Sequence, residues 1–269
     1  MKLTRTKPQK KTVPLNEKQL ADMAALDQIR RDKAQSFGEV WDTELYPFTA
    51  SLESLENVEM LNCFIKKLRT LAKKNKNQVL NVVEGGAGGG YHSLRILTEI
   101  PSANVVALET SSSAFDQQQT NFASATAEVI RRFSPVHMDM GEYFFYKDDV
   151  IDGVYLNSVM HFVDPDDRMR MYRALFRKMN SGGIIGISFK DWEDALRIKG
   201  DKLHDIPGGE LIKGDDGIPR AFIKDPTAVM AELVAAGFKI VGDPKKWKVE
   251  DYNIKGTFGS FVGFIGTKQ

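Results

Sequence analysis

The sequence predicts an α/β fold: a doubly wound, mostly parallel seven-stranded sheet with helices on both faces, preceded by an N-terminal helical extension. Three observations carry this. Short apolar runs rich in β-branched residues, Val79–Val83 (VLNVV), Asn104–Leu108 (NVVAL), Val150–Leu156 (VIDGVYL) and Ile184–Phe189 (IIGISF), alternate with stretches of helical periodicity. Strands spaced by helices of that length imply a parallel sheet with right-handed crossovers. The runs are close to continuously apolar, as strands buried on both faces are. The first of them also leads through a glycine-rich turn into a helix, the corner at which open α/β sheets take up nucleotide-like ligands.

From the N-terminus, residues 1–13 (MKLTRTKPQKKTV) are basic and polar without hydrophobic periodicity and read as a disordered basic tail, or as an arm that touches a partner. Residues 14–75 read as a helical lid or extension. Asn16 can cap a first helix whose stripe is Leu20, Met23, Leu26 and Ile29. An aromatic stretch, Phe37–Phe48, follows. A second helix from about Asn57 to Lys74 carries Leu61, Phe64, Ile65, Leu68 and Leu71 on one stripe, with its lysines on a solvated face.

The main domain spans residues 76–269. After the first strand and its turn, YHSLRILTEI is helical. A helix from Ser111 or Ser112 to near Phe133 leads to a short third strand at Pro135–Met140. Asp164 and Pro165 start the helix after the fourth strand, and Ser181-Gly182-Gly183 ends it. Residues 191–224 break this rhythm, being charged and glycine-rich, and read as a substrate-side excursion. Helix Pro226–Ala236, a stop at Gly237, strand Phe238–Val241 and a last strand within Ser260–Thr267 restore the pattern.

Composition narrows the function classes. The chain has 269 residues, 42% hydrophobic and 27% charged, with a formal net charge of +1. That balance gives no general attraction to nucleic acid or to an anionic membrane. A single cysteine, Cys63, excludes an internal disulfide and a cysteine-based zinc site within one chain. No apolar run approaches a membrane span, and the N-terminus lacks a secretory h-region, so a soluble cytoplasmic protein is expected.

The turn EGGAGGGYH rewards a close look. The dinucleotide pattern GxGxxG needs a third glycine where Tyr91 or Ser93 stands, or a second where Ala87 stands, so no frame fits. The pattern that fits is acidic-x-G-x-G-x-G: Glu84, Gly86, Gly88 and Gly90. In this the chain resembles the class I, Rossmann-like S-adenosylmethionine (SAM)-dependent methyltransferases, over about Val79–Lys268. The resemblance implies SAM as cofactor and S-adenosylhomocysteine as product. It implies that Glu109, which ends the second strand, takes the ribose hydroxyls, and that Asp139 and Met140 receive adenine. Asn157, with Ser158, would lie under the methionine part. Trp41, Asp42 and Tyr46 resemble the family's W-D…Y lid, which could close over SAM; a hydrophobic plug between helices and sheet is the other account.

Glu84 stands where the family more often has Asp, and DGVYLNS departs from the D/N-P-P-Y/F signature, which disfavours amine methylation on DNA. Methyl transfer from a sulfonium needs alignment above all, and a base only where the nucleophile is protonated. No metal site is expected. His161 is the candidate base, its ordinary pKa suiting neutral pH; packing beside Met160 and Phe162 is the competing role. His92 is expected to face cofactor or solvent, and His137 to be structural. A small-molecule acceptor is the leading expectation. Protein or nucleic-acid methylation, a non-catalytic SAM-binding interaction protein, and a nicotinamide-dependent oxidoreductase are the alternatives.

Overall fold

A computed structural model describes residues 58–76, 78–147, 150–214, 217–250 and 258–269. The basic tail, the first N-terminal helix and the Trp41–Asp42–Tyr46 group lie outside them.

The first described helix, α1 (Glu59–Lys74), has an acidic residue in its first turn and Lys73 and Lys74 in its last, both matched to the helix dipole. There follow β1 (Leu80–Gly85), α2 (Tyr91–Glu99), β2 (Ala103–Glu109), α3 (Ser112–Phe122), α4 (Ala127–Arg131), β3 (Phe133–His137), α5 (Met140–Tyr146) and β4 (Ile151–Leu156). A short 3-10 turn, Met160–Phe162, leads to α6 (Pro165–Lys178) and the long β5 (Met179–Asp191). Then come α7 (Ala195–Lys199), β6 (Asp201–Ile206), β7 (Gly209–Lys213), β8 (Pro219–Ile223), α8 (Pro226–Ala235), β9 (Lys239–Ile240), β10 (Lys245–Glu250) and β11 (Phe258–Thr267).

Strands β3-β2-β1-β4-β5 are parallel neighbours, and β11 runs antiparallel on β5, with β10 antiparallel on β11. With β9, which pairs antiparallel with β11, strands β1 to β5 and β11 correspond to the expected seven; β6, β7, β8 and β10 extend the sheet to eleven. Side chains alternate between two cores. Val154 and Leu156 of β4, with Ile185, Ile187 and Phe189 of β5, pack on α5, α6 and α8. Tyr155 of β4 and Ile184 of β5 lie on the other face with α1, α2 and Trp247. Helix α1 buries Phe64, Ile65 and Leu68 in that second core, so it is one of the sheet's own helical layers and not a detached cover.

Several expected elements differ. The third strand stops at His137 and Met140 lies in α5, and Ser181-Gly182-Gly183 lie within β5, past the end of α6 at Lys178. The helix from Ser111 toward Phe133 is broken in two, because Thr126 caps a new helix by accepting the Val129 amide. The excursion is built structure. Ile187 of β5 pairs with Leu156 on one side and Phe264 on the other, and Lys190 pairs with Phe222 and Phe261. Since β11 occupies one edge throughout, β8 continues the edge that β4 leaves. The antiparallel strands β8-β7-β6 thus carry the sheet past the carboxyl end of β4, beside the crevice where ligands bind in open α/β sheets.

Candidate active site

The crevice starts from the turn after β1. Gly86, Gly88 and Gly90 all have positive φ, at 63°, 52° and 78°. These are the glycines of the alternating pattern, in a conformation that an L side chain rarely adopts. Their surroundings differ. A Cβ on Gly86 would stand 2.1 Å from Val159 Cγ1, whereas one on Gly88 would meet nothing within 4 Å. Gly88 is therefore the point where the backbone faces open space.

Neighbouring elements fix the turn. The Ala87 amide donates to the Leu108 carbonyl at 2.9 Å. The Gly88 amide donates to Glu109 Oε2 at 2.7 Å, while Glu109 Oε1 accepts from the Thr110 and Ser111 amides at 2.8 and 2.9 Å. Glu109 is only 8% exposed. Burial pushes its pKa up, against the pull of those three amides, and the charge of Glu84 adds to the rise. From α3, Gln118 Nε2 donates to the Gly88 carbonyl and Asn121 Nδ2 to the Gly89 carbonyl, each at 2.8 Å.

Glu84 is buried and turns toward the start of α2, accepting from Ser93 Oγ at 2.5 Å and pairing with His92 Nδ1 at 3.0 Å. His92 was expected to face cofactor or solvent. It is instead mostly enclosed, edge-on to Tyr155 at 5.4 Å, because the Glu84 carboxylate draws it inward.

Beyond β3, Asp139 caps α5, Oδ1 accepting from the Gly141 and Glu142 amides at 2.8 and 3.1 Å. Met140 packs on the end of β1, where a Cβ on Gly85 would lie 3.2 Å from its Sδ. After β4, Asn157 Oδ1 accepts from Ser188 Oγ at 2.9 Å, and the Ser158 amide donates to the same hydroxyl at 2.8 Å. Ser158 has φ 58°, the one positive φ outside glycine among the described residues.

His161 lies in the 3-10 turn, buried against Phe162, its Nδ1 without a hydrogen-bond partner. Burial lowers its pKa well below the ordinary value, and Lys190 and Arg220 lower it further. Lys190 Nζ donates to the buried Asp194 at 2.9 Å. Asp191, buried at the end of β5, accepts from Lys246 Nζ at 3.1 Å, and His204 is exposed on β6. His137 is exposed at the end of β3, stacked on Phe115. No group of three or more His, Cys, Asp or Glu among the described residues is placed to hold a metal ion, and no helix among them is long and apolar enough to cross a membrane.

The structure thus gathers Glu84, Gly86, Gly88, Gly90, Glu109 and Met140 around one turn, with Asp139 next to Met140. Asn157 and His161 lie past the end of β4. Tyr46 is outside the described residues. Sequence reasoning missed Gln118, Asn121, Ser93 and Ser188. A signal existed for two of them: Gln118 and Asn121 stand three apart in QQQTNF, one helical face that is polar where a core face would be apolar.

Comparison with known proteins points to a family for part of the chain. Residues 82–183 match the family model described as "Methyltransferase domain". Over this segment the chain is similar to methyltransferase domains. Curated relatives of this chain include the carboxy-S-adenosyl-L-methionine synthase of Shewanella halifaxensis (strain HAW-EB4), 26% identical over 144 residues, which cover 52% of this chain and 57% of that one. The synthase of the same name from Shewanella woodyi (strain ATCC 51908 / MS32) is 28% identical over 134 residues, covering 49% and 53%. The chain therefore spans little more than half the length of these relatives. Among solved structures, the 1,6-didemethyltoxoflavin-N1-methyltransferase of Burkholderia thailandensis, with bound 1,6-didemethyltoxoflavin and S-adenosylhomocysteine, is similar in fold. Its TM-score is 0.56 at 14% identity, over 96% of this chain and 93% of that one. A SAM-dependent methyltransferase of Methanosarcina mazei gives 0.53 at 17% identity, over 74% and 96%.

Proposed function

We propose that this protein transfers a methyl group from SAM to a small-molecule acceptor by in-line displacement and releases S-adenosylhomocysteine. One observation carries the cofactor: a turn of three left-handed glycines, open at Gly88, lies across from the carboxylate that ends the next strand. A group with a ribose hydroxyl fits that pairing, because Glu109 Oε2 keeps one lone pair beyond the three amides the carboxylate accepts. The similarity to methyltransferase domains supports the same ligand, as do the names of the sequence relatives, which contain S-adenosyl-L-methionine. For the acceptor, the support is the small molecule bound in the toxoflavin enzyme.

When bound, SAM supplies an electrophilic methyl on a sulfonium. In this proposal Gly86, Gly88 and Gly90 let it approach the main chain, and Glu84 acts by pinning the start of α2. Glu109 holds the ribose, Asp139 and Met140 receive adenine, and Asn157 serves the methionine end. Tyr46 belongs to a lid that excludes water. His161, kept neutral by burial and by the cations beside it, removes the proton of an acceptor that carries one.

The sequence relatives favour one other outcome, in which SAM itself is the molecule altered, as their name describes for them. Incubation with methyl-labelled SAM and a small-molecule extract, followed by mass spectrometry, tests both. Methyl transfer means that S-adenosylhomocysteine accumulates with a labelled product. A carboxylated SAM in place of S-adenosylhomocysteine would sink the methyl-transfer proposal, and calorimetric binding of NAD but not of S-adenosylhomocysteine would remove the cofactor as well.

A further inference from the structure

Ser188 lies fully buried on β5, thirty-one residues from Asn157 in sequence yet hydrogen-bonded to its side chain. A hydroxyl has one proton to give. Here the oxygen accepts the Ser158 amide at 2.8 Å and the proton goes to Asn157 Oδ1 at 2.9 Å. In this arrangement the Asn157 amide turns its oxygen toward β5. With Oδ1 committed to β5, Nδ2 is the end left for a ligand, and no hydrogen bond holds it among the described residues.

The same hydroxyl holds the chain in an uncommon conformation. Ser158 has φ 58°, which costs a residue other than glycine on the order of 1 kcal/mol or more. Such strain persists where the surroundings impose it, and the Ser188–Ser158 bond is one imposing contact. Val159, next in the chain, stands where a Cβ on Gly86 would fall. The loop that Ser188 fixes is therefore in contact with the glycine turn itself.

We infer that Ser188 is a positioning residue. It orients the Asn157 amide so that Nδ2 donates to the carboxylate of the amino-acid end of SAM. This rests on the cofactor reading above and assigns a residue to a chemical group within it. Ser188 touches no ligand and acts only through Asn157 and Ser158.

Titration calorimetry with two probes separates this from a general structural role. S-adenosylhomocysteine has the amino-acid end, and 5′-methylthioadenosine lacks it. Ser188→Ala is expected to weaken S-adenosylhomocysteine about five- to tenfold, the worth of one hydrogen bond, and to leave methylthioadenosine within about twofold. Ser188→Thr, which keeps the hydroxyl, is expected to restore the affinity. Asn157→Asp is expected to repel S-adenosylhomocysteine alone. Equal loss for both probes, or no loss for either, overturns the inference while leaving the cofactor in place. Wild-type protein that binds neither probe overturns the cofactor reading, and the inference with it.

Discussion

Glu109 reaches from the end of β2 to take the Gly88 amide at 2.7 Å, so the two strands of the cofactor corner are joined by a carboxylate. The group that would hold the ribose also sets the shape of the turn. Replacing it by Gln keeps the size but puts a donor where an amide already donates. The expected result for Glu109→Gln is a loss of S-adenosylhomocysteine affinity of about tenfold to a hundredfold by calorimetry, the scale of a hydrogen bond to a charged group. Burial raises the pKa of Glu109, so its carboxylate takes up a proton at a pH above the usual 4.5. Affinity in the wild type should therefore fall on acidification through that raised value, while the Gln variant shows no such limb. For folding, the raised native pKa makes this group's contribution greatest below the unfolded pKa and lost as pH rises through the native one.

Gly86 and Gly88 share a backbone conformation but not an environment, and Ala at each should separate fold from site. At Gly86 the new Cβ collides with Val159 within 2.1 Å, so strain and clash add. Thermal unfolding should show a clear loss of stability for Gly86→Ala. At Gly88 the Cβ meets nothing, and only the positive φ costs, roughly 1 kcal/mol. Gly88→Ala should stay folded and bind S-adenosylhomocysteine poorly, since its methyl fills the open space. Unchanged affinity would move the cofactor away from this turn.

These glycines were legible in the sequence because their φ demands leave a mark that no other residue type meets. Glu109 was legible because a strand end fixes its place. Other parts were not. Strand β6 is exposed along nearly its whole length, so DKLHDI carries no burial alternation to read, and Lys245–Glu250 hides its strand among lysines. Helix α5 is one short turn-pair of clustered aromatics, MGEYFFY, without a clean period. The place of Ser188 depends on the β4–β5 register, with Leu156 beside Ile187, and nothing local to either residue encodes that pairing.

His161 offers a pH test. Its native pKa lies well below the ordinary value, first through burial and then through Lys190 of β5 and Arg220 of β8. A base with a depressed native pKa binds its proton more readily in the unfolded chain. Stability from this group is therefore present above about pH 6.5 and is lost as pH falls toward the native pKa. The loss runs at up to roughly 1.4 kcal/mol per pH unit within that window. Denaturant melts from pH 7.5 to 5 should show wild type weakening faster than His161→Gln. If His161 is the base, turnover of wild type should also persist to well below pH 6.5, and His161→Gln should lose turnover without losing S-adenosylhomocysteine affinity. A variant with full turnover would assign His161 to packing alone.

The fully buried Arg168 joins α6 to α8. Its Nε and Nη2 donate to the two oxygens of Glu232 at 3.0 and 2.7 Å, and Nη1 to the Val163 carbonyl at 3.2 Å. Its guanidinium also stands 5.2 Å from the Phe189 ring centroid, on the strand that carries Ser188. Removing one partner of a buried, two-point ion pair strands the other charge. Arg168→Ala, which also leaves a cavity, should cost about 3–5 kcal/mol in urea melts. Arg168→Met together with Glu232→Leu removes both charges and refills the space, so most of that loss should return. The pair lies on the core face away from α1. The double variant should therefore keep S-adenosylhomocysteine affinity close to wild type, and an affinity loss in a stably folded double variant would show that this helix pair sets the geometry of the crevice.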